Sequence, residues 1–369
     1  MARSRVCGGL LCLAVTGFVL VDLVESAEER GSRLVVLIMV IPVIDFSKLD
    51  GDDRHTTMVQ IANGCEEWGF FQLVNHGISV ELLQEVKRVC SEFYKMEREA
   101  KFKDSAPFKK LEDLMEGQDN GRNEVANGHD SVNKIEDMDW EDTIILLDNN
   151  EWPSKTHDFK KIMEEFRKEK KKLAEKLTEI MDENLGLEKG YIKRAFKGDD
   201  KEGCHPFFGT KVSHYPPCPQ PDLVNGLRAH TDAGGVILLF QDDQVPGLQI
   251  LKDGQWIDVQ PLENSIVVNT GDQIEVISNG RYKSVWHRVV ALEKGNRRSI
   301  ASFYNPSASA TIGPAPQLLK QKQVVEEAAY AAHDHGFEYP KFVFGDYMGV
   351  YVKEKFSPKE PRFLAVGSM

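Results

Sequence analysis

The sequence predicts a mainly β fold with flanking helices, and three observations predict it. Past Gly209, short apolar runs recur between turn residues, the texture of a sandwich or barrel. Within that region Leu248–Leu251 and Gln255–Val259 flank Asp253-Gly254, a two-residue hairpin signal. Before Gly209 the apolar positions keep a helical period instead.

Taken in order, Pro42-Val43-Ile44-Asp45-Phe46 reads as the first core strand, followed by a helix over about Met58–Trp68 and a β-rich Gly69–Val74. Ser79 can cap a helix that puts Leu83, Val86, Cys90 and Phe93 on one face. Residues 104–134 are acidic, rich in Gly and Asn and without period, which predicts a flexible connection. Phe159, Ile162, Met163, Phe166, Leu173, Leu177, Ile180 and Met181 then trace one long amphipathic helix, with Gly186 where it should stop. The lysine run 168–172 falls inside it and reads as a solvated face. Val236–Phe240, the hairpin, Ser265–Asn269, Tyr282–Val285, Arg288–Leu292 and Ser299–Tyr304 are the strands expected beyond Gly209, and a helical tail is expected from Gln317 to about Ala332. The expected divisions are 1–40, 41–205, 206–309 and a helical 310–369.

With 369 residues, 41% of them hydrophobic, the chain can bury a large core. A net charge of −12 with no basic patch argues against nucleic acid as a partner. None of the six cysteines forms a C-x-x-C pair, so free thiols in a reducing, cytoplasmic setting are expected. Against that stands the N-terminus. Arg3 and Arg5 precede the uncharged Val6–Val21, the shape of a secretory signal or short anchor, or else of a dispensable leader before a cytosolic protein. The run is short of the roughly 20 residues that a membrane span requires, so no stable membrane partner is expected.

Of ten histidines, only His230 begins an H-x-D, as His230-Thr231-Asp232. Residues i and i+2 of an extended segment project to one side, so both can reach one ion. A second imidazole would complete the two-histidine, one-carboxylate face of non-haem Fe(II), which leaves positions open for substrate and dioxygen. His287, His333 and His335 are the histidines downstream, and His287, lying among the strands, is the better third ligand. Ten residues past His287, Arg297 and Ser299 share one strand face and offer a guanidinium and a hydroxyl to a carboxylate. Arg298 points the other way, and its replacement should cost little turnover.

These residues and their surroundings resemble a known family. Arg228–Gly235, Leu238–Asp243, Gly247-Leu248-Gln249, Lys252–Val259 and Ser299–Pro306 are similar to the core of the 1-aminocyclopropane-1-carboxylate oxidases, within the Fe(II)/2-oxoglutarate dioxygenase superfamily. The resemblance spans about Ile41 to Phe363. It implies a distorted double-stranded β-helix, or jelly roll, with 41–205 as the dioxygenase N-terminal region and 206–309 as the catalytic core. It implies Fe(II) on His230, Asp232 and His287, an amino-acid substrate, dioxygen, ascorbate as reductant and carbon dioxide or bicarbonate as activator. Lys211, Arg228, Tyr215 and Arg362 match family positions that serve these small molecules, Arg297 and Ser299 match a carboxylate site, and Ile237 and Phe303 match an apolar wall. Cys65 and Cys218 match family cysteines and read as packed thiols. His214, Gly313 and Leu364 depart from the family pattern, which puts the activator site and C-terminal lid in question. The alternative is a 2-oxoglutarate-dependent hydroxylase or desaturase, against which Lys211-Val212-Ser213 and Arg228-Ala229 stand. A catalytically silent binding module is a further alternative, opposed by the complete triad. The resemblance implies oxidation of 1-aminocyclopropane-1-carboxylate to ethylene, cyanide and carbon dioxide. Removing residues 1–40 should leave that activity, followed by gas chromatography of ethylene, intact; an insoluble or inactive product would place Leu34–Val40 in the core.

Overall fold

The computed structural model describes residues 18–23, 34–117, 134–153, 155–198, 205–319 and 337–369, and of 18–38 the backbone alone. Strands β1 (Phe18–Leu23) and β2 (Leu34–Met39) pair antiparallel. Then come β3 (Val43–Asp45), α1 (Arg54–Asn63), β4 (Phe70–Val74), α2 (Val80–Phe93), α3 (Glu99–Phe102) and α4 (Ala106–Met115). β5 (Asp142–Leu146), α5 (Phe159–Asn184), α6 (Tyr191–Lys197) and β6 (Phe207–Tyr215) lead into the core. The core continues through β7 (Asn225–His230), β8 (Val236–Gln241), β9 (Leu248–Lys252), β10 (Gln255–Asp258), β11 (Ile266–Thr270), α7 (Asp272–Ile277), β12 (His287–Val290) and β13 (Arg297–Asn305). A short β14 (Thr311–Ile312), β15 (Phe342–Val343), α8 (Phe344–Glu354) and α9 (Lys359–Gly367) close the chain.

The strands form a seven-stranded sheet, β3-β4-β11-β8-β13-β6-β5, facing a four-stranded sheet, β10-β9-β12-β7. All pairs in these sheets are antiparallel except β3 with β4. The jelly roll with flanking helices is therefore present.

The large sheet separates two environments by residue parity. On β8, Val236, Leu238 and Phe240 join the main apolar core, while Ile237 and Leu239 face the opposite sheet. On β13, Ile300 and Tyr304 take the core side, and Arg297, Ser299, Ala301 and Phe303 the other. Helix α5 covers the core side, with the Phe166 ring 5.7 Å from that of Phe240 in an edge-on contact. Ser79 caps α2 by accepting from the Leu82 N–H, and Leu83, Val86, Cys90 and Phe93 are buried, all as the period requires. α5 ends before Gly186 (φ +69), where the amides of 186 and 187 return to carbonyls of the last turn. The hairpin turn has positive φ at both Asp253 and Gly254, the type I′ geometry whose twist suits antiparallel strands.

Several expectations change. Residues 106–115 form α4 with Pro107 in its first turn, where a flexible connection was expected; 118–133 lie outside the described residues. Tyr282–Val285 is irregular, and the unexpected α7 precedes it. Most of the expected tail over 317–332 lies outside the described residues, as do His333 and His335. Lys170 is not on a solvated face. It stands four residues past Phe166, on the buried stripe of α5, and donates to the Ile300 carbonyl at 2.8 Å. Burial holds its ammonium well below the ordinary lysine range, with Arg167 adding to the effect. Met39 and Ile41 pack against a smaller core cluster with Trp68 and Phe70, so a cut after residue 40 removes one edge contact.

Arg298 keeps the expected side of β13 and has a structural task there. It faces away from Arg297, but there it holds α2 to the sheet, donating to the Lys87 carbonyl and Ser91 hydroxyl and pairing with Asp242 at 3.4 Å. Arg298→Ala should therefore lower the melting temperature through loss of about 1–3 kcal/mol, measured by thermal unfolding. An unchanged melting temperature would show that these bonds contribute nothing.

Candidate metal centre and its cavity

Strands β7 and β12 pair so that His230 stands directly opposite His287. Each ring is fixed by its own backbone: His230 Nδ1–H donates to the Arg228 carbonyl at 2.8 Å and His287 Nδ1–H to the Val285 carbonyl at 3.1 Å. Both Nε2 atoms are thereby left as acceptors facing the same point. The chain turns after His230, and Asp232 brings its carboxylate between them, with Oδ1 3.7 Å from His230 Nε2 and Oδ2 3.5 Å from His287 Nε2. Asn269 Nδ2 donates to Asp232 Oδ2 at 2.8 Å and sets the carboxylate's orientation. The three ligand atoms lie within 4.8 Å of one another, and all three residues are buried. Burial, and then His287, hold the His230 imidazole well below its ordinary pKa, so it is neutral and able to bind a metal. Two neutral-nitrogen donors and one carboxylate on one side of a common point fit Fe(II).

The loop behind these ligands is clamped by α7. The backbone N–H groups of Gly271, Asp272 and Gln273 donate to the carbonyls of Gly235, Asp232 and Gly234 at 2.7–3.0 Å. A Cβ at Gly271 would lie 2.4 Å from the Gly234 carbonyl oxygen, which is why glycine stands there. Gly234 and Gly235 are equally confined, by Asn305 and by Phe196 with the Tyr304 carbonyl.

The triad opens into a cavity of about 360 Å³ between the sheets. Cross-strand register assembles its polar wall: Arg297 faces Tyr215 and Ser299 faces Ser213, while Phe303 faces Ile237 to make an apolar wall. Lys211, Tyr215, Arg297 and Ser299 all line this cavity. Arg297 is buried and donates through Nη2 to Gln241 at 2.8 Å, whereas its Nε and Nη1 have no protein partner. A buried guanidinium with two unmatched donors is suited to a carboxylate or similar anion.

Arg228 and Arg362 do not line the cavity. Arg228 donates to Asp139 at 3.1 Å and lies 3.7 Å from the Phe356 ring centre. Arg362 is buried behind the ligand loop, its Nη2 bonded to Thr231 Oγ1 at 2.6 Å. His214 lies on the core side of β6, stacked on Tyr94 at 4.0 Å, and burial pushes its pKa down to about 3. Leu364 is exposed on α9, and neither it nor Gly313 reaches the cavity. Cys65, Cys90 and Cys218 are free and buried, consistent with packed thiols.

Several residues at the site escaped the sequence reading. Glu141 joins Lys211 and Tyr215, each at 2.7 Å. Burial pushes its carboxyl upward, but Lys211 outweighs this and its pKa is lowered overall. Lys355 lines the cavity from the end of α8, its ammonium lowered by burial and then by Lys211. Asn269 had a signal in principle, since it is the polar residue of an otherwise apolar run. Glu141 and Lys355 had none, because their places depend on distant segments.

Two family models match the chain: the 2OG-Fe(II) oxygenase superfamily over 207–306, and the N-terminal domain described as non-haem dioxygenase in morphine synthesis over 41–165. Among solved structures, JOX2 in complex with 2OG, Fe and JA superimposes with a TM-score of 0.67 at 31% identity, covering 89% of each chain. Curated relatives are closer in sequence. A 1-aminocyclopropane-1-carboxylate oxidase of Musa acuminata is 64% identical across 89% of this chain and 99% of its own. The 1-aminocyclopropane-1-carboxylate oxidase 5 of Arabidopsis thaliana is 61% identical across 90% of this chain and all of its own. With the buried His230, Asp232 and His287 cluster set in the matched oxygenase fold, the chain belongs to the 1-aminocyclopropane-1-carboxylate oxidase family of non-haem Fe(II) oxygenases.

Proposed function

We propose that this chain oxidises 1-aminocyclopropane-1-carboxylate to ethylene, cyanide and carbon dioxide, using dioxygen, with ascorbate as reductant and carbon dioxide or bicarbonate as activator. The observation that carries this reading is the preformed His230, Asp232 and His287 cluster at the floor of a cavity with a buried, half-unpaired arginine. Fe(II) held by these three residues would supply the redox chemistry with dioxygen.

The chain's own part is binding and orientation. Backbone carbonyls hold both imidazoles in one tautomer, and Asn269 holds the carboxylate, so little rearrangement is needed on loading. Arg297, Ser299 and Tyr215 form the polar end for a small carboxylate or ascorbate oxygen. Lys211 is steered into the same wall by Glu141, and Lys355 adds a cation from the C-terminal side. Ile237 and Phe303, farther along the same sheet face, keep that end of the cavity apolar and exclude water from it. Arg228 stacks on Phe356, the residue after the cavity-lining Lys355, and acts from outside the cavity. Cysteines without C-x-x-C spacing and a site suited to Fe(II) support a reducing, cytoplasmic setting.

Gas chromatography for ethylene, with Fe(II), ascorbate and the amino acid, tests the reading. Formation should require ascorbate and be indifferent to added 2-oxoglutarate; strict dependence on 2-oxoglutarate with release of succinate would assign a hydroxylase or desaturase instead. His230→Ala, Asp232→Ala and His287→Ala should each lose tight Fe(II) binding as well as turnover, since two protein ligands hold Fe(II) poorly. Normal turnover in His287→Ala would remove it from the ligand set. Arg297→Ala should lower turnover by about 10- to 150-fold, from the roughly 1.5–3 kcal/mol of a charge-assisted hydrogen bond. A loss under twofold would exclude Arg297 from ligand binding.

A further inference from the structure

Thr231 stands between two metal ligands yet faces away from the cavity, and it is fully buried. Three groups from beyond its own strand converge on it. Arg362 of α9 donates from Nη2 to Thr231 Oγ1 at 2.6 Å, and Tyr351 of α8 donates from its hydroxyl to the Thr231 carbonyl at 2.8 Å. The Thr231 hydroxyl in turn donates to Asp272 Oδ2 at 3.3 Å, in α7. Asp272 is itself held by the Tyr347 hydroxyl and by Arg362 at 3.7 Å, and its N–H donates to the Asp232 carbonyl at 2.8 Å. One residue thus joins both C-terminal helices to the backbone that carries His230 and Asp232.

We propose that Thr231 is a positioning residue for the metal centre, and that Arg362 acts on the centre through the Thr231 hydroxyl rather than by touching substrate. The inference rests on the metal-site reading above. Arg362 is 1% exposed, and it does not line the cavity that holds the triad. Its one hydrogen bond toward the ligands goes to the residue between them, and its 3.7 Å pairing with Asp272 supports the same segment. Groups that orient metal ligands from behind characteristically alter metal affinity by about 10- to 100-fold when removed.

The test uses the full chain and Mn(II) alone, titrated by the electron paramagnetic resonance signal of the free ion, with thermal unfolding as a check on folding. Wild type should bind one Mn(II) and His287→Ala should not; if wild type fails, the metal-site reading falls and this proposal with it. Thr231→Val, which keeps the shape but removes the hydroxyl, should bind Mn(II) about 10-fold more weakly. Thr231→Ser, which keeps the hydroxyl, should lie within about threefold of wild type, well inside that effect. Arg362→Met should weaken binding similarly, and adding it to Thr231→Val should give little further loss, because coupled residues are not additive. Wild-type affinity in Thr231→Val, or equal loss in Thr231→Ser, would overturn the role of the hydroxyl. Fully additive losses in the double variant would overturn the path from Arg362. If Arg362→Met does not fold, the Thr231→Val and Thr231→Ser pair decides the question.

Discussion

Antiparallel pairing of β7 with β12 sets His230 against His287, and the remaining architecture serves that juxtaposition. Two imidazoles with ring centres 4.4 Å apart cannot both be protonated without strong mutual repulsion in a buried site. The fold meets this constraint by supplying backbone carbonyls to both Nδ1–H groups and an acidic side chain between the two Nε2 atoms. The small sheet brings the histidines together, α7 and Asn269 of the large sheet fix the carboxylate, and the C-terminal helices brace the residue between.

Charge in the cavity follows a similar logic. Lys211, Arg297 and Lys355 bring cations into a space of low polarity, where unpaired charge is costly. Glu141 offsets Lys211 and accepts from Tyr215, whose hydroxyl is pushed well above its ordinary range by burial and then by Glu141. Arg297 keeps two donors unmatched. The polar wall therefore has a paired Lys211 and an Arg297 with free donors, a charge distribution suited to an anionic ligand.

What could be read from the sequence was whatever depends on period and on short spacing. The α5 stripe, the capped α2, the Asp253-Gly254 hairpin, the H-x-D pair and the Arg297/Ser299 face each follow from local geometry. The family resemblance supplied His287 as ligand with more force than its position did, and it supplied Lys211 and Tyr215, which line the cavity. Period also misled. The lysine run looked solvated because charge was weighed above phase, yet Lys170 lies in phase with Phe166 and is buried. Arg298 was placed on the correct face, but its tie to α2 spans more than 200 residues and no local pattern reports it. Glu141, Lys355 and the bracing of Thr231 are likewise products of long-range docking. They become visible only when distant segments are brought together.

The close fit of Gly234, Gly235 and Gly271 has a consequence for how this scaffold can change over evolutionary time. Substitution at any of them drives a new carbon to within 2.6 Å of the Asn305 amide, the Phe196 ring or a backbone carbonyl, so the ligand-bearing segment has few neutral neighbours in sequence space. The wall positions Ile237, Phe303, Leu227 and Val289 carry no such restriction, since they border open space. Divergence toward new substrates, in nature or in a library, would therefore accumulate on the walls while the turn stays frozen. One superfamily can in this way keep a single iron-binding turn while its members' cavities diversify.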